Sequence, residues 1–385
     1  MSVVAPSIRH LRDFVAIPSV NPMGRSDLSS SLTGESRLAE QLCAVLRRLG
    51  VDAGLVGEAP RQSVVAEVLA RDPRAETIVV ASHLDTVPVD GMEIAPFDPR
   101  IEAGRLYGRG SCDTKAGLAA LCAALERMLP HGGLRHHLII VGEADEEKSS
   151  LGVHDVLASL AGRRPAFVLA TEPTELAVVH AHKGVVHAVL EARGVAGHAS
   201  APRPGENAIV ALARVALELE ALGLALASRE HPSLGAATLS IGQFEGGLAP
   251  NVVPDRARLV VDRRVLPGES LEQVERELAA AIERAGEGER VRVASCRLEK
   301  PALGTSLEHL AVRHCAEALR AAAHPVRTGS VAFGTDAGVF EAEAGWPGVV
   351  MGPGSIQQAH TNREYVEVAQ VETMTDFFVA LLGRR

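Results

Sequence analysis

Short apolar runs, each bounded by turn formers and each leading into a histidine or a carboxylate, set the strongest constraint on what this chain can fold into. Ile78-Val79-Val80-Ala81 runs into Ser82-His83-Leu84-Asp85, and Leu138-Ile139-Ile140-Val141 into Gly142-Glu143-Ala144-Asp145-Glu146-Glu147. Phe167-Val168-Leu169-Ala170 runs into Thr171-Glu172-Pro173-Thr174, and Val349-Val350-Met351 into Gly352-Pro353-Gly354, with His360 a few residues on. Unbroken apolar runs of this length predict strands buried on both faces, as in parallel sheets. Asp113 joins the set, after the turn Gly108-Arg109-Gly110-Ser111-Cys112 and just before a helix that starts near Lys115. In open α/β sheets, ligand sites lie beyond the carboxyl ends of the strands. The chain's His, Asp and Glu residues fall there.

The order of elements predicts two domains. Strand and helix signals alternate over 7–174, and the Ala-rich stretch 116–128 carries Leu118, Leu121, Cys122 and Leu125 at helical spacing, which is α/β grammar with a mostly parallel sheet. Between 185 and 295 the order becomes strand, helix, strand, strand, helix, strand, the split βαβ or ferredoxin-like arrangement. The α/β pattern then resumes, with helices over 306–322 and 368–382, a strand near Val326 and the strand before Gly352. Because His360 falls in this last part, the metal-bearing domain is discontinuous, comprising 1–181 and 298–385, and 182–297 is inserted into it through short hinges.

Bulk properties exclude several function classes. A net charge of -9 and an aromatic content of 3% argue against nucleic acid or anionic lipid as partner. No apolar run approaches membrane-spanning length, and the first residues lack the apolar core of a secretory signal. Five scattered cysteines without a CxxC point to free thiols in a reducing cytoplasm. No GxSxG nucleophile elbow and no GxxxxGK[ST] phosphate loop occurs.

One His-x-Asp pair is weak, since a buried histidine satisfied by a carboxylate is an ordinary core feature. His83 and Asp85, two apart on an extended segment, point the same way, so Asp85 can hold the imidazole whose other nitrogen binds a metal. Asp113, Glu146, Glu147 and Glu172 add carboxylates whose mutual repulsion and burial a divalent cation would relieve. Histidine and oxygen donors suit zinc, with cobalt or manganese as substitutes. Two histidines and three carboxylates exceed what one tetrahedral ion needs. A pair of ions per subunit, of the kind used in hydrolysis, fits better.

At this point the chain resembles the dinuclear zinc hydrolases that include aminoacylase, carboxypeptidase G, acetylornithine deacetylase and succinyl-diaminopimelate desuccinylase. The motifs SHLDTVP (82–88), GRGSCDTKAG (108–117), DEEKSSLG (145–152), TEPT (171–174) and GPGSIQQAH (352–360) stand in the family order. The resemblance implies that His83 and Glu172 hold one ion, Glu147 and His360 the other, with Asp113 bridging. It implies that Glu146 is the general base toward an activated water and that a cis peptide follows Asp113. The sequence departs from the family at Thr114, where Met is frequent, and at Asn362-Arg363, where Pro-Asp or Pro-Asn is frequent.

By the same resemblance His198, in Gly197-His198-Ala199-Ser200, reaches the active site of a second subunit and helps to stabilise the oxyanion, which implies a homodimer. Asn251 and Arg264 would bind the substrate's α-carboxylate, with help from Gly334 and Thr335, while Arg263 is expected to face solvent. His131, His136, His137 and His231 sit in polar connections and are expected at the surface. The resulting expectation is an N-acyl amino acid deacylase similar to acetylornithine deacetylase. A dipeptidase or carboxypeptidase of the same fold is the alternative, and a noncatalytic metal-binding protein the third reading.

Overall fold

The computed structural model describes residues 4–202 and 207–383 and divides into two compact units. One comprises Met1–His180, Gly304–Gly329 and Thr335–Arg385; the other comprises Ala181–Leu303 with Ser330–Gly334.

The first unit is built on a mixed sheet. Its centre is the parallel set His137–Glu143, Thr77–His83, Phe167–Ala170 and Gly348–Val350, adjacent in that order. Outside the first of these, Ser63–Val68 and then Ala53–Val56 add antiparallel strands. The expected parallel character therefore holds at the centre and changes toward the edge. Residues of opposite parity on the central strands feed opposite cores. Ile78, Val80, Leu138, Ile140 and Leu169 pack with helices Pro6–Val15, Ser36–Arg48, Lys115–Met128 and Val368–Leu382. Val79, Ile139, Val141 and Val168 pack with Val153, Val156, Phe340 and Trp346 of the other layer. Burial on both faces is why these strands read as unbroken apolar runs.

Helix Lys115–Met128 is buried almost all round, consistent with its Ala-rich composition. Gly117 lets it approach the Phe167–Ala170 strand end closely, because a Cβ there would lie 2.4 Å from Thr171. That approach delivers Asp113, two residues before the helix, to the strand ends. A separate three-stranded antiparallel sheet of Arg100–Glu102, Arg105–Tyr107 and Tyr365–Glu367 flanks the Gly108–Thr114 loop.

The second unit has the order strand Gly184–Arg193, helix Ala208–Leu226, strands Thr238–Gly246 and Arg256–Val265, helix Leu271–Arg284, strand Val291–Lys300. The first strand lies between the last and the third, all pairs antiparallel, which is the split βαβ arrangement. Val186, Leu190, Leu259 and Val261 meet Leu212, Val215, Leu219, Val274 and Leu278 of the two helices. Arg263 corrects an expectation: it is 1% exposed, because it shares strand parity with Val261 and Val265 and points to the helix side. Its guanidinium donates to Glu269 at 2.7 Å, so the charge is paired where it is buried.

All five cysteines are free thiols, and no helix among the described residues is long and apolar enough to cross a membrane.

Candidate functional site

Four adjacent strand ends converge in the first unit. His83 is the last residue of its strand; Glu146 and Glu147 follow His137–Glu143; Glu172 follows Phe167–Ala170; and His360 lies on the loop after Gly348–Val350. Asp113 stands among them, with a cis peptide bond to Thr114. Its Oδ1 is 2.9 Å from His83 Nε2, and its Oδ2 is 3.3 Å from His360 Nε2. Glu172 Oε2 lies 3.9 Å from His83 Nε2 on one side, and Glu147 Oε2 lies 3.1 Å from His360 Nε2 on the other. The five side chains thus form two pairs, His83 with Glu172 and His360 with Glu147, with one oxygen of Asp113 turned to each. One donor atom each of His83, Asp113 and Glu147 lies within 4.8 Å of the others, a spacing suited to a metal ion.

Electrostatics favour positive charge at the centre of this group. Burial alone would lower the His83 pKa, yet Glu172 and Asp113 raise it well above the ordinary imidazole value. Hydrogen bonding to Asp113 and Glu147 takes His360 up to about 10. Burial and the neighbouring Asp113 charge push Glu147 up, and burial with the crowd of carboxylates pushes Glu172 well up. Burial acts the same way on Asp113, but hydrogen bonds from His360 and His83 hold it well below the carboxylate range. A divalent cation would supply the charge that this cluster draws, and its imidazole and carboxylate donors fit zinc, cobalt or manganese. The residues present therefore fit the implied ions.

Asp85 stands beside the His83 imidazole, as expected of a residue that orients it, and makes further contacts. His83 Nδ1 is 3.0 Å from the backbone oxygen of Asp85 and 3.5 Å from its carboxylate, so the main chain makes the closer contact with the ring. The carboxylate also accepts the backbone N–H groups of Glu146 at 3.1 Å and Glu147 at 3.0 Å. Asn21, missed in the sequence, donates to both Asp85 (2.9 Å) and Asp145 (2.8 Å) and so ties the His83 loop to the loop of the glutamate pair. Asp145 and His360 are non-glycine residues in the left-handed region, at φ 63° and 61°, where backbone strain gathers at functional loops. Glu146 is buried and close enough to Glu172 to add to its raised pKa.

The remaining predicted residues are divided between the two units. His198 and Asn251 meet within the second unit: Gly197–His198 pairs with Val252–Val253, and Ala199 N donates to Asn251 O at 3.0 Å. His198 is exposed, its Nδ1 2.6 Å from Ser200 Oγ. Arg264 sits on the sheet face opposite Arg263 and pairs with Asp262 at 2.8 Å. Gly334 belongs to the second unit, whereas Thr335 is buried in the first and caps helix Asp336–Ala344 by accepting from Ala337 N at 3.2 Å. His136, expected at the surface, is buried beside His314, their ring centroids 5.6 Å apart, and its Nε2 accepts from Arg135 at 2.9 Å.

Residues 79–384 match peptidase family M20/M25/M40. The chain belongs to this family. An acetylornithine deacetylase from Myxococcus xanthus is 34% identical to it over 297 residues, covering 76% of this chain and 75% of that protein. Another from Proteus mirabilis is 31% identical over 313 residues, 79% and 78% of the two chains. The fold is similar to that of an M20-family metallo-carboxypeptidase from Sulfolobus solfataricus, with a TM-score of 0.79 at 20% identity and 98% of each chain covered. As a member of the M20 family the protein is a hydrolase with a candidate His83, Asp113 and Glu147 metal site.

Proposed function

We propose that this M20 hydrolase cleaves the amide bond of N-acyl amino acids in the manner of an acetylornithine deacetylase. The carrying observation is the Asp113 carboxylate with one oxygen toward His83 and the other toward His360, and Glu146 one residue from Glu147. In this reading His83 and Glu172 hold one divalent ion, Glu147 and His360 the second, and Asp113 both. When bound, such ions supply Lewis acidity and lower the pKa of a water. Glu146 takes the proton of the attacking water as general base and returns it to the leaving amine. Asp85 and Asn21 hold the backbone of the Glu146-Glu147 segment in place while it does so. His198 donates to the oxyanion, and Asn251 and Arg264, with Gly334 and Thr335, take the α-carboxylate; a guanidinium suits that planar group.

The second unit, residues 182–297 in the main, serves as a lid and dimerisation domain in the same reading. Helix Ala208–Leu226 exposes Val210 (44%), Leu217 (67%) and Leu224 (75%). The three lie seven residues apart along one helical stripe, the pattern of a helix that packs on a partner. The proposed partner is a second copy, into whose active site His198 projects. Five free thiols and the acidic charge are consistent with a cytoplasmic enzyme.

The test is hydrolysis of a panel of N-acetyl and N-succinyl amino acids beside simple dipeptides, with zinc or cobalt and again after chelation. Chelator-sensitive release of ornithine, or of another amino acid from its acetyl form, supports the deacylase reading. Cleavage of dipeptides alone moves the enzyme to the peptidase side of the family, and no turnover of any substrate by the metal-loaded protein contradicts the proposal.

A further inference from the structure

Glu364 is fully buried, four residues after His360, and belongs to none of the motifs that mark the site. Its Oε2 accepts from Arg109 Nη1 at 2.7 Å and Gly110 N at 3.0 Å; its Oε1 accepts from Cys112 N at 2.8 Å and Asp113 N at 3.1 Å. Its own backbone oxygen receives Gly108 N at 3.1 Å. The loop 108–113 is neither helix nor strand, so apart from Ser111 N, which donates to Gly108 O at 3.1 Å, its N–H groups need acceptors from outside it. Gly108 and Gly110, at φ 152° and 81°, let the chain curl so that the N–H groups of Gly110, Cys112 and Asp113 face one carboxylate, a concavity of the kind that binds anions elsewhere. Here the anion is a side chain of the protein itself. Arg109, 3% exposed, balances its charge.

Two further contacts locate what this arrangement controls. Strand Tyr365–Glu367, directly after Glu364, pairs with Arg105–Tyr107, directly before the loop. The Glu364 carboxylate therefore sits where the His360 segment and the Asp113 segment are stapled together. Asp113 has to present one oxygen toward His83 and the other toward His360, and rotation of its backbone would withdraw one of them. The Asp113 N–H is fixed by Glu364 at 3.1 Å.

We propose that Glu364 is a positioning residue for the metal centre: by holding the Cys112 and Asp113 N–H groups it sets the angle at which the Asp113 carboxylate spans the two ion positions. The inference rests on the dinuclear reading given above. It assigns to Glu364 a role in ion geometry beyond its share in stability.

Cobalt-loaded protein distinguishes the two roles, because visible absorption of Co(II) reports ligand geometry in the folded molecule. In Glu364→Gln either amide orientation sets an NH2 against two donors. The expected result is an altered cobalt spectrum and a weaker second ion, by about 10- to 100-fold as for other outer partners of metal ligands. Leu319→Ala, a core variant far from this loop in sequence, is the control, expected to lower Tm while leaving the spectrum unchanged. A Glu364→Gln protein of reduced Tm with wild-type spectrum and affinity would overturn the proposal. Should that variant not fold, Glu364→Asp, which keeps the charge but falls a methylene short, carries the same test: an altered spectrum supports the proposal and a wild-type one overturns it. Wild-type protein that takes up a single cobalt ion would instead refute the dinuclear reading itself.

Discussion

The carboxylate of Asp85 accepts the backbone N–H of Glu147 at 3.0 Å. A residue placed two after a proposed metal ligand in sequence thus reaches both that ligand's ring and the opposite loop. Removing this acceptor strands buried donors, at a cost of about 1–3 kcal/mol each. Asp85→Asn should therefore lower kcat by about 10- to 100-fold through displaced Glu146 and Glu147, with a Tm loss of a few degrees. Steady-state kinetics with thermal unfolding checks this; unchanged kcat would show that the loop holds its shape without Asp85.

Glu146→Ala separates proton transfer from ion binding. Loss of a positioned general base typically costs about 10²- to 10⁴-fold in rate. Turnover should fall by that amount while metal content, set by the other five residues, stays near wild type. Substantial residual activity in the metal-replete variant would remove Glu146 from the role of base.

His198→Ala should reduce kcat with little effect on folding, since the side chain is exposed. If it acts across subunits, mixing this variant with Glu146→Ala should restore part of the activity in heterodimers, which carry one intact site. Proven heterodimers without recovery would place its action within its own chain or nowhere.

His136 gives a pH dependence of stability away from the proposed centre. Burial first, then Arg135 and His314, lower its pKa from the ordinary 6.5 to about 4. The unfolded chain takes up a proton below about pH 6.5 and the folded chain only below about 4. Acid therefore favours unfolding across that window, the contribution being complete above it and lost progressively within it, up to roughly 3 kcal/mol. His136→Gln should lose less stability than wild type between pH 7 and 4.5 in urea titrations. Equal losses would show that the imidazole titrates alike in both states.

The parts of this fold legible in the sequence are those in which local pattern and tertiary environment coincide. The strands ending at His83 and Ala170 are apolar because both faces are covered, and the ligand candidates follow from their carboxyl ends. Helix Val368–Leu382 was legible to its boundaries. Arg263 and Arg264 show a signal that was present and unread: Leu259, Val261 and Val265 share Arg263's parity, so alternation along the strand turns it inward. Asn21 and Glu364 carried no comparable signal. Asn21 meets Asp85 across 64 residues and Glu364 meets Asp113 across 251, and only the folded chain defines such partners. The outer strands Ala53–Val56 and Ser63–Val68, one mostly exposed and the other half-buried, likewise lack the uniform apolar character of the centre.

In the proposed mechanism Asp113 joins two ion sites that together perform hydrolysis. Titrating metal-free protein with zinc or cobalt while following both bound ion and hydrolysis of an N-acetyl amino acid tests it most directly. Two ions should bind per chain, with full activity only as the second site fills, whereas saturation at one ion, or hydrolysis undiminished in the metal-free protein, would contradict the dinuclear mechanism.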